Sequence, residues 1–175
     1  MKKILIVVDY QNDFISGSLG FDGADGICDR IAEKIARYRE SGGEVLFTYD
    51  THGADYLSTA EGRALPVPHC IRGTEGWELH PRIEAMRREG DRCILKPSFG
   101  SAELLDTLRA GAYDAVELVG LVTNICVISN AILAKAALPE AEITVDAACV
   151  GSGDKKLEEE ALDVMEGLQI GVKNR

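Results

Sequence analysis

The sequence predicts an α/β protein: a three-layer, doubly wound fold around a six-stranded parallel sheet of order 3-2-1-4-5-6. Three observations lead there. Short, near-continuous aliphatic runs recur along the chain, the pattern of parallel strands buried on both faces. Between them lie segments with apolar residues at helical spacing, so strands and helices alternate. Four of the runs also end in residues capable of chemistry, at the edge where open α/β sheets bind their ligands. Right-handed crossovers then favour an order that sets the first and fourth strands side by side.

The first strand covers about 3–8, with aliphatics from Ile4 to Val8, and stops at Asp9. A loop carrying Gly17, Gly20 and Gly23 leads to a helix over about 24–41, with Ile27, Ile31, Ile35 and Tyr38 at helical spacing and Gly42-Gly43 as its stop. The second strand spans about 44–49, ends at Asp50, and has His52 two residues on. The stretch of about 51–79 shows little periodicity and is too long for a simple connection, which marks it as a functional loop. A short helix over about 80–89 follows, capped by His80 and exposing Arg82, Arg87 and Arg88. The third strand, about 92–95, stops at Lys96. A helix over 101–110 and the fourth strand over 114–119 come next, and the chain then passes through Gly120-Leu121-Val122 into Thr123-Asn124-Ile125-Cys126. A helix at about 124–138, a fifth strand at 142–145, a helix at 155–167 and a last strand at 169–173 complete the series. With no repeat, linker or low-complexity tract, residues 1–175 are expected to form a single domain.

Composition narrows the function. Hydrophobic content of 46% with 27% charged residues is that of a globular protein. A net charge of −10 argues against nucleic acid and anionic membranes as partners. No apolar stretch approaches the roughly 20 residues of a membrane helix. Met1-Lys2-Lys3 leads into too few aliphatics for a secretion signal. The cysteines, Cys28, Cys70, Cys93, Cys126 and Cys149, are odd in number and lack CxxC spacing. The expected setting is therefore a reducing cytoplasm. The oligomeric state stays open, a homo-oligomer included.

Cys126 carries the strongest chemical signal. With Thr123 as N-cap it falls in the first turn of a helix, where backbone N–H groups and the helix dipole favour a thiolate. Cys28, expected mid-helix, and Cys70, Cys93 and Cys149 lack such a setting and read as structural. Asp9 ends a wholly apolar strand, where burial raises a carboxyl pKa and suits it to moving protons; a loop-anchoring aspartate fits the position equally well. Lys96 would oppose that shift or hold a developing oxyanion. Alone it reads as a solvated strand-end lysine, and its joint placement with Asp9 tips the balance. Asp146 also ends an expected strand but has no evident partner, so it reads as structural. Asp50, His52 and His69 offer one oxygen and two imidazoles, a donor set for zinc, iron or manganese, with Glu61 as a further ligand or acceptor. The D-x-H step sets Asp50 and His52 on one face of an extended segment.

Five segments together resemble the isochorismatase-like cysteine hydrolases, and within them the nicotinamidase branch. They are Val7-Val8-Asp9-Tyr10-Gln11-Asn12-Asp13-Phe14, Tyr49-Asp50-Thr51-His52, Pro68-His69-Cys70-Ile71-Arg72-Gly73-Thr74, Lys96-Pro97-Ser98-Phe99, and Gly120-Leu121-Val122-Thr123-Asn124-Ile125-Cys126-Val127. The resemblance runs through nearly the whole chain. It implies a triad of Asp9, Lys96 and Cys126, a metal site at Asp50, His52 and His69, and a cis peptide at Leu121–Val122. It also implies an oxyanion hole from the N–H groups of Val122 and Cys126. Phe14 resembles the aromatic wall of the family's substrate pocket, with Phe99 or Trp77 adding to it. The tryptophan usual shortly before the third metal ligand is absent, and Pro66 stands near that place.

The function this implies is a metal-dependent cysteine amidohydrolase, with zinc ahead of iron or manganese, that takes a small-molecule amide. Hydrolysis of nicotinamide to nicotinate and ammonia through a thioester is the leading expectation. A related hydrolase acting on another small amide or carbamoyl compound is the alternative. A non-catalytic redox or metal-sensing protein would use Cys126 and the histidines but would leave Asp9 and Lys96 without a role.

Overall fold

A computed structural model describes residues Met1–Arg175. The aliphatic run at the start forms β1 (Lys3–Val8), in which Ile4 to Val8 are all buried. A one-turn helix α1 (Asn12–Ile15) and a 3₁₀ turn (Asp25–Ile27) precede α2 (Cys28–Glu40) and β2 (Glu44–Asp50). The next stretch holds α3 (Ala60–Ala64) and α4 (Pro81–Glu84) and leads to β3 (Arg92–Lys96). The remainder runs α5 (Ala102–Gly111), β4 (Ala115–Leu121), α6 (Ile128–Ala137), β5 (Glu142–Gly151), α7 (Lys155–Gly167) and β6 (Gly171–Lys173).

All strands pair in parallel and the order is β3-β2-β1-β4-β5-β6, as the sequence led one to expect. Alternate side chains of β1 divide between two cores. Leu5 and Val7 pack with Ile31 and Ile35 of α2 and Ile83 of α4. Ile4, Ile6 and Val8 pack with Leu104 of α5, Ala131 of α6 and Met165 of α7. Helices therefore cover both faces, and the strand order reverses between β1 and β4. The carboxyl ends of those strands flank the crevice at this switch point.

Several boundaries differ from expectation for identifiable reasons. The fifth strand runs to Gly151 because β5 bulges and then rejoins β4: Leu118 pairs with Val145, yet Gly120 pairs with Val150. Asp146 lies inside that bulge and has the partner the sequence hid, an ion pair with Lys34 of α2. Lys34 also pairs with Glu117 of β4 at 2.6 Å, and Arg30 donates to the Ala148 carbonyl at 2.6 Å. β4 continues past 119 through Gly120, where φ is 111° and a Cβ would sit 2.0 Å from the Val8 carbonyl oxygen, so only glycine fits. The helix expected over 80–89 shrinks to α4 because Arg39 pairs with Asp91 and binds the Met86 carbonyl, while Asp91 Oδ2 accepts from the Arg88 N–H at 2.7 Å. The last strand starts at Gly171 because Gln169 takes a left-handed φ of 62°. Cys28 opens α2 rather than sitting within it, and its Sγ lies 3.3 Å from His80 Nδ1. His80 also caps α4, accepting from the Arg82 N–H at 3.3 Å.

Candidate active site

Asp9 leaves β1 with a left-handed φ of 44°, which turns its carboxylate beneath the ends of the central strands. Its N–H donates to the Thr48 carbonyl at 3.2 Å, and the Thr48 hydroxyl donates to Asp9 Oδ1 at 2.6 Å. Lys96 ends β3 in register with Asp50, and its side chain crosses below β2 toward Asp9. Its Nζ lies 2.6 Å from Asp9 Oδ2, 3.6 Å from Asp50 Oδ1 and 3.6 Å from Cys126 Sγ, and donates to the Ser98 carbonyl at 3.0 Å. Asp9, Lys96 and Cys126 are all buried. The three residues that the sequence singled out separately thus form one cluster.

Cys126 reaches it from the other side of β1. β4 ends at Leu121, the Leu121–Val122 peptide is cis, and a π turn over Thr123–Val127 precedes α6. The Val127 N–H reaches back to the Val122 carbonyl at 3.1 Å, the five-residue step of a π turn, a geometry frequent at functional sites. Thr123 is not the N-cap. Val122 holds that place, and the buried Thr123 hydroxyl donates to Glu158 Oε1 of α7 at 3.3 Å. The carboxylate beneath the turn draws the hydroxyl away from the helix end.

The electrostatics follow from one buried ammonium among three acids. Burial pushes the Cys126 thiol well up, with Asp9 adding to that and Lys96 opposing it. Burial also raises Asp9, against the pull of Lys96. Burial disfavours the Lys96 ammonium, but Asp9, Cys126 and Asp50 outweigh it and keep the group charged. Burial thus disfavours the charged form of both Asp9 and Cys126, and the Lys96 ammonium beside them favours it. Burial raises the other cysteines as well, Cys149 up to about 12, and Cys28, Cys70 and Cys93 likewise, but only Cys126 has Lys96 opposing the rise.

Beside this cluster stands a second one. Asp50 Oδ2 lies 3.1 Å from His52 Nε2 and 3.3 Å from His69 Nε2, and Glu61 Oε1 lies 3.6 Å from each imidazole nitrogen. All four donor atoms fall within 4.8 Å of one another. His52 continues the path of β2 and forms a parallel bridge with Ile71, donating its N–H to the Cys70 carbonyl at 3.0 Å. That bridge is what brings His69 across. Cys70 turns left-handed at φ 46°, and its N–H donates to Asp13 Oδ2 at 2.7 Å. His69 Nδ1–H donates to the Val67 carbonyl at 2.8 Å, which turns Nε2 toward Asp50 as the nitrogen that would ligate a metal once deprotonated. Burial would raise Asp50, but hydrogen bonds from His52 and His69 and the charge of Lys96 hold it well below the usual carboxylate range. Its Oδ1 is buried without a hydrogen-bond partner. Two imidazole nitrogens and two carboxylate oxygens suit zinc, iron or manganese, so the residues present fit a divalent metal.

Three polar residues that sequence reasoning passed over hold the arrangement together. Thr48 orients Asp9. Gln11 clips Asp50, accepting its N–H at 2.8 Å and donating to its carbonyl at 2.9 Å and to that of Trp77 at 2.7 Å. Asn130 is the third. The available signal was a polar residue inside or beside a buried apolar run. Of the expected aromatic residues, Phe14 is buried with its ring 5.7 Å from that of His69. Phe99 is 43% exposed on the loop after Lys96. Trp77 is not brought into the group. Its ring packs on Tyr49 at 5.2 Å, its indole N–H donates to Thr51 Oγ1 at 2.9 Å, and it lines an outer cavity with Glu84 and Arg87.

A family model described as the isochorismatase domain matches residues 3–173. The chain belongs to the isochorismatase family. Among its relatives is the nicotinamidase/pyrazinamidase of Mycobacterium tuberculosis, 32% identical over 139 residues that cover 71% of this chain and 74% of that one. The crystal structure of a nicotinamidase/pyrazinamidase from Bacillus subtilis superposes with a TM-score of 0.88 at 31% identity, covering 99% of this chain and 100% of the other. A pyrazinamidase of Pyrococcus horikoshii, solved in complex with zinc, has a TM-score of 0.84 at 28% identity and covers 98% of both chains. The sequence resemblance to the nicotinamidase branch of this family is borne out. No helix is long and apolar enough to cross a membrane.

Proposed function

We propose that this amidohydrolase of the isochorismatase family hydrolyses nicotinamide, or a closely similar aromatic carboxamide, through a thioester on Cys126. The observation that carries the reading is the position of Lys96 Nζ, 2.6 Å from Asp9 and 3.6 Å from Cys126, beside a metal-competent cluster that shares Asp50 with it. The relatives named nicotinamidase or pyrazinamidase support the substrate class.

Asp9 takes the thiol proton of Cys126, and the resulting thiolate attacks the amide carbonyl. Lys96 keeps the charge of the pair balanced while the negative charge passes from carboxylate to sulfur to the developing oxyanion. The N–H groups of Val122 and Cys126 are the proposed oxyanion donors. Asp9 returns the proton to the departing ammonia, leaving an acyl thioester. It then takes a proton from water, whose oxygen attacks the thioester to release the acid and the Cys126 thiol. Asp50, His52, His69 and Glu61 would hold a divalent metal, zinc first, which when bound supplies a Lewis-acidic centre for the ring nitrogen of the substrate. Phe14, packed against His69, forms the apolar wall that excludes water on that side, and Phe99 the outer edge.

Ammonia release from a panel of nicotinamide, a carbamoyl compound and aliphatic amides tests the reading. Turnover of nicotinamide at least about tenfold above the others in kcat/KM supports it. No ammonia from any member of the panel rejects it.

A further inference from the structure

We propose that Asn130 is a positioning residue for the nucleophile, its buried carboxamide tying the Cys126 turn to the loop that follows Lys96. The inference rests on the reading of Cys126 given above. Asn130 lies on α6, one turn beyond Cys126, and is fully buried. A buried helical asparagine is costly unless its amide is satisfied. Here Nδ2 donates to the Cys126 carbonyl at 2.8 Å and to the Phe99 carbonyl at 3.0 Å, while Oδ1 accepts from the Ser101 N–H at 3.0 Å. Three of the four bonds the group can make are thus spent on backbone of two segments, each carrying a reacting group.

Both segments need such a tie. Cys126 belongs to a π turn that gives way to α geometry at Ile128, a joint where the helical ladder changes register. On the other side the chain leaves β3 at Lys96 without regular structure until Ser101 caps α5 by accepting from the Leu104 N–H at 3.1 Å. Between them Gly100 presses on α6, where a Cβ would meet Leu133 Cδ1 at 2.9 Å. Within this loop the Ser98 carbonyl accepts from Lys96 Nζ at 3.0 Å. Fixing Phe99 and Ser101 therefore fixes Ser98, and Ser98 fixes the ammonium that stands 3.6 Å from Cys126 Sγ. Asn130 thus hydrogen-bonds backbone of both segments at once, beside the direct approach of Lys96 Nζ to Cys126 Sγ.

The test compares wild type, Asn130→Asp and Asn130→Ser, each with its metal bound. Aspartate keeps the size and the acceptor for Ser101 but has no N–H for either carbonyl. Serine can return a hydroxyl to its own i−4 carbonyl, that of Cys126, but does not reach Phe99. In Asn130→Asp, kcat and the carboxymethylation rate of Cys126 should fall about 10²-fold, the scale for a misplaced reacting group, with KM and metal content within about twofold. Asn130→Ser should recover part of the labelling rate while kcat stays low. Wild-type kcat in folded Asn130→Asp overturns the proposal, as does a loss that disappears once rates are divided by the folded fraction from near-ultraviolet circular dichroism. Should Asn130→Asp not fold, wild-type kcat in Asn130→Ser overturns it instead. Cys126→Ala run alongside separates the two levels. Turnover surviving there rejects the nucleophile and the brace together. An inactive Cys126→Ala beside a fully active Asn130→Asp rejects the brace alone.

Discussion

Thr48 and Asp9 hold each other: the Thr48 hydroxyl donates to Asp9 Oδ1 at 2.6 Å, and the Asp9 N–H donates back to the Thr48 carbonyl at 3.2 Å. One carboxylate oxygen is thereby committed to β2, and the other is turned toward Lys96. The orientation of the Asp9 carboxylate is set by a neighbouring strand rather than by solvent, which the buried site excludes.

Thr48→Val tests that relationship, because valine matches the shape but offers no donor. A buried carboxylate oxygen left unpartnered should cost about 1–3 kcal/mol of stability, read from urea denaturation. The kcat should fall as well, since Asp9 can then rotate. Thr48→Ser retains the hydroxyl and should keep both quantities near wild type. A larger loss in Thr48→Ser than in Thr48→Val would show that the methyl packing, not the hydrogen bond, matters.

Cys126 should be the nucleophile, so Cys126→Ala should abolish turnover while Cys28→Ala and Cys149→Ser retain most of it. Asp9→Asn keeps the shape of the base but cannot accept a proton, and should slow acyl-enzyme formation by about 10²–10⁴-fold. Single-turnover mixing followed by mass spectrometry reads both. A thioester forming on Asp9→Asn at the wild-type rate would send the search for the base elsewhere.

Metal content should respond to Glu61 as well as to the histidines. His52→Ala and His69→Ala each remove an imidazole, and Glu61→Gln removes the charge of the fourth donor while keeping its length. All three should lower the bound divalent metal, measured by inductively coupled plasma mass spectrometry, and the purified wild type should carry about one ion per chain. A chelated, metal-free protein with undiminished turnover would detach this cluster from the reaction.

Much of this was legible in the sequence because the chemistry sits where strands end. Buried parallel strands announce themselves as aliphatic runs, and the residue that stops each run points into the crevice, so Asp9, Asp50 and Lys96 could be read one strand at a time. The strand order followed from crossover handedness, and it brought β1 beside β4. What stayed hidden depends on contacts between segments distant in sequence. Asp146 looked like a strand end because its partner Lys34 lies on α2, 112 positions away, and a buried ion pair permits a charged residue inside a bulged strand. Thr123 looked like a cap because nothing in its neighbourhood reveals Glu158 of α7. Trp77 was expected at the pocket through the family resemblance alone, whereas its ring turns to Tyr49.

That hidden ion pair carries a pH dependence whose sign can be worked out. Burial would raise Asp146, but hydrogen bonds from Lys34 and Asn174 outweigh it and depress the carboxyl below its ordinary value. A depressed acid contributes stability that is present above the unfolded pKa of about 3.9 and is lost as pH falls through the folded value. For Lys34, burial disfavours the ammonium, but Asp146 and Glu117 outweigh it and raise the pKa. Its contribution is complete below the unfolded pKa of about 10.4 and is lost only as pH rises through the folded value. The pair therefore stabilises the bulge across the neutral range and fails on the acid side first. Asp146→Asn should cost about 1.5–3 kcal/mol near neutral pH, the range for hydrogen bonds to charged groups. Lys34 keeps Glu117 at 2.6 Å, so the ammonium is not left without a partner. Urea midpoints taken between about pH 7 and about pH 3 should show the gap between variant and wild type narrowing as the wild type surrenders the same interaction. A gap that stays constant over that interval would mean that the carboxylate charge of Asp146 contributes nothing and that its role is confined to shape.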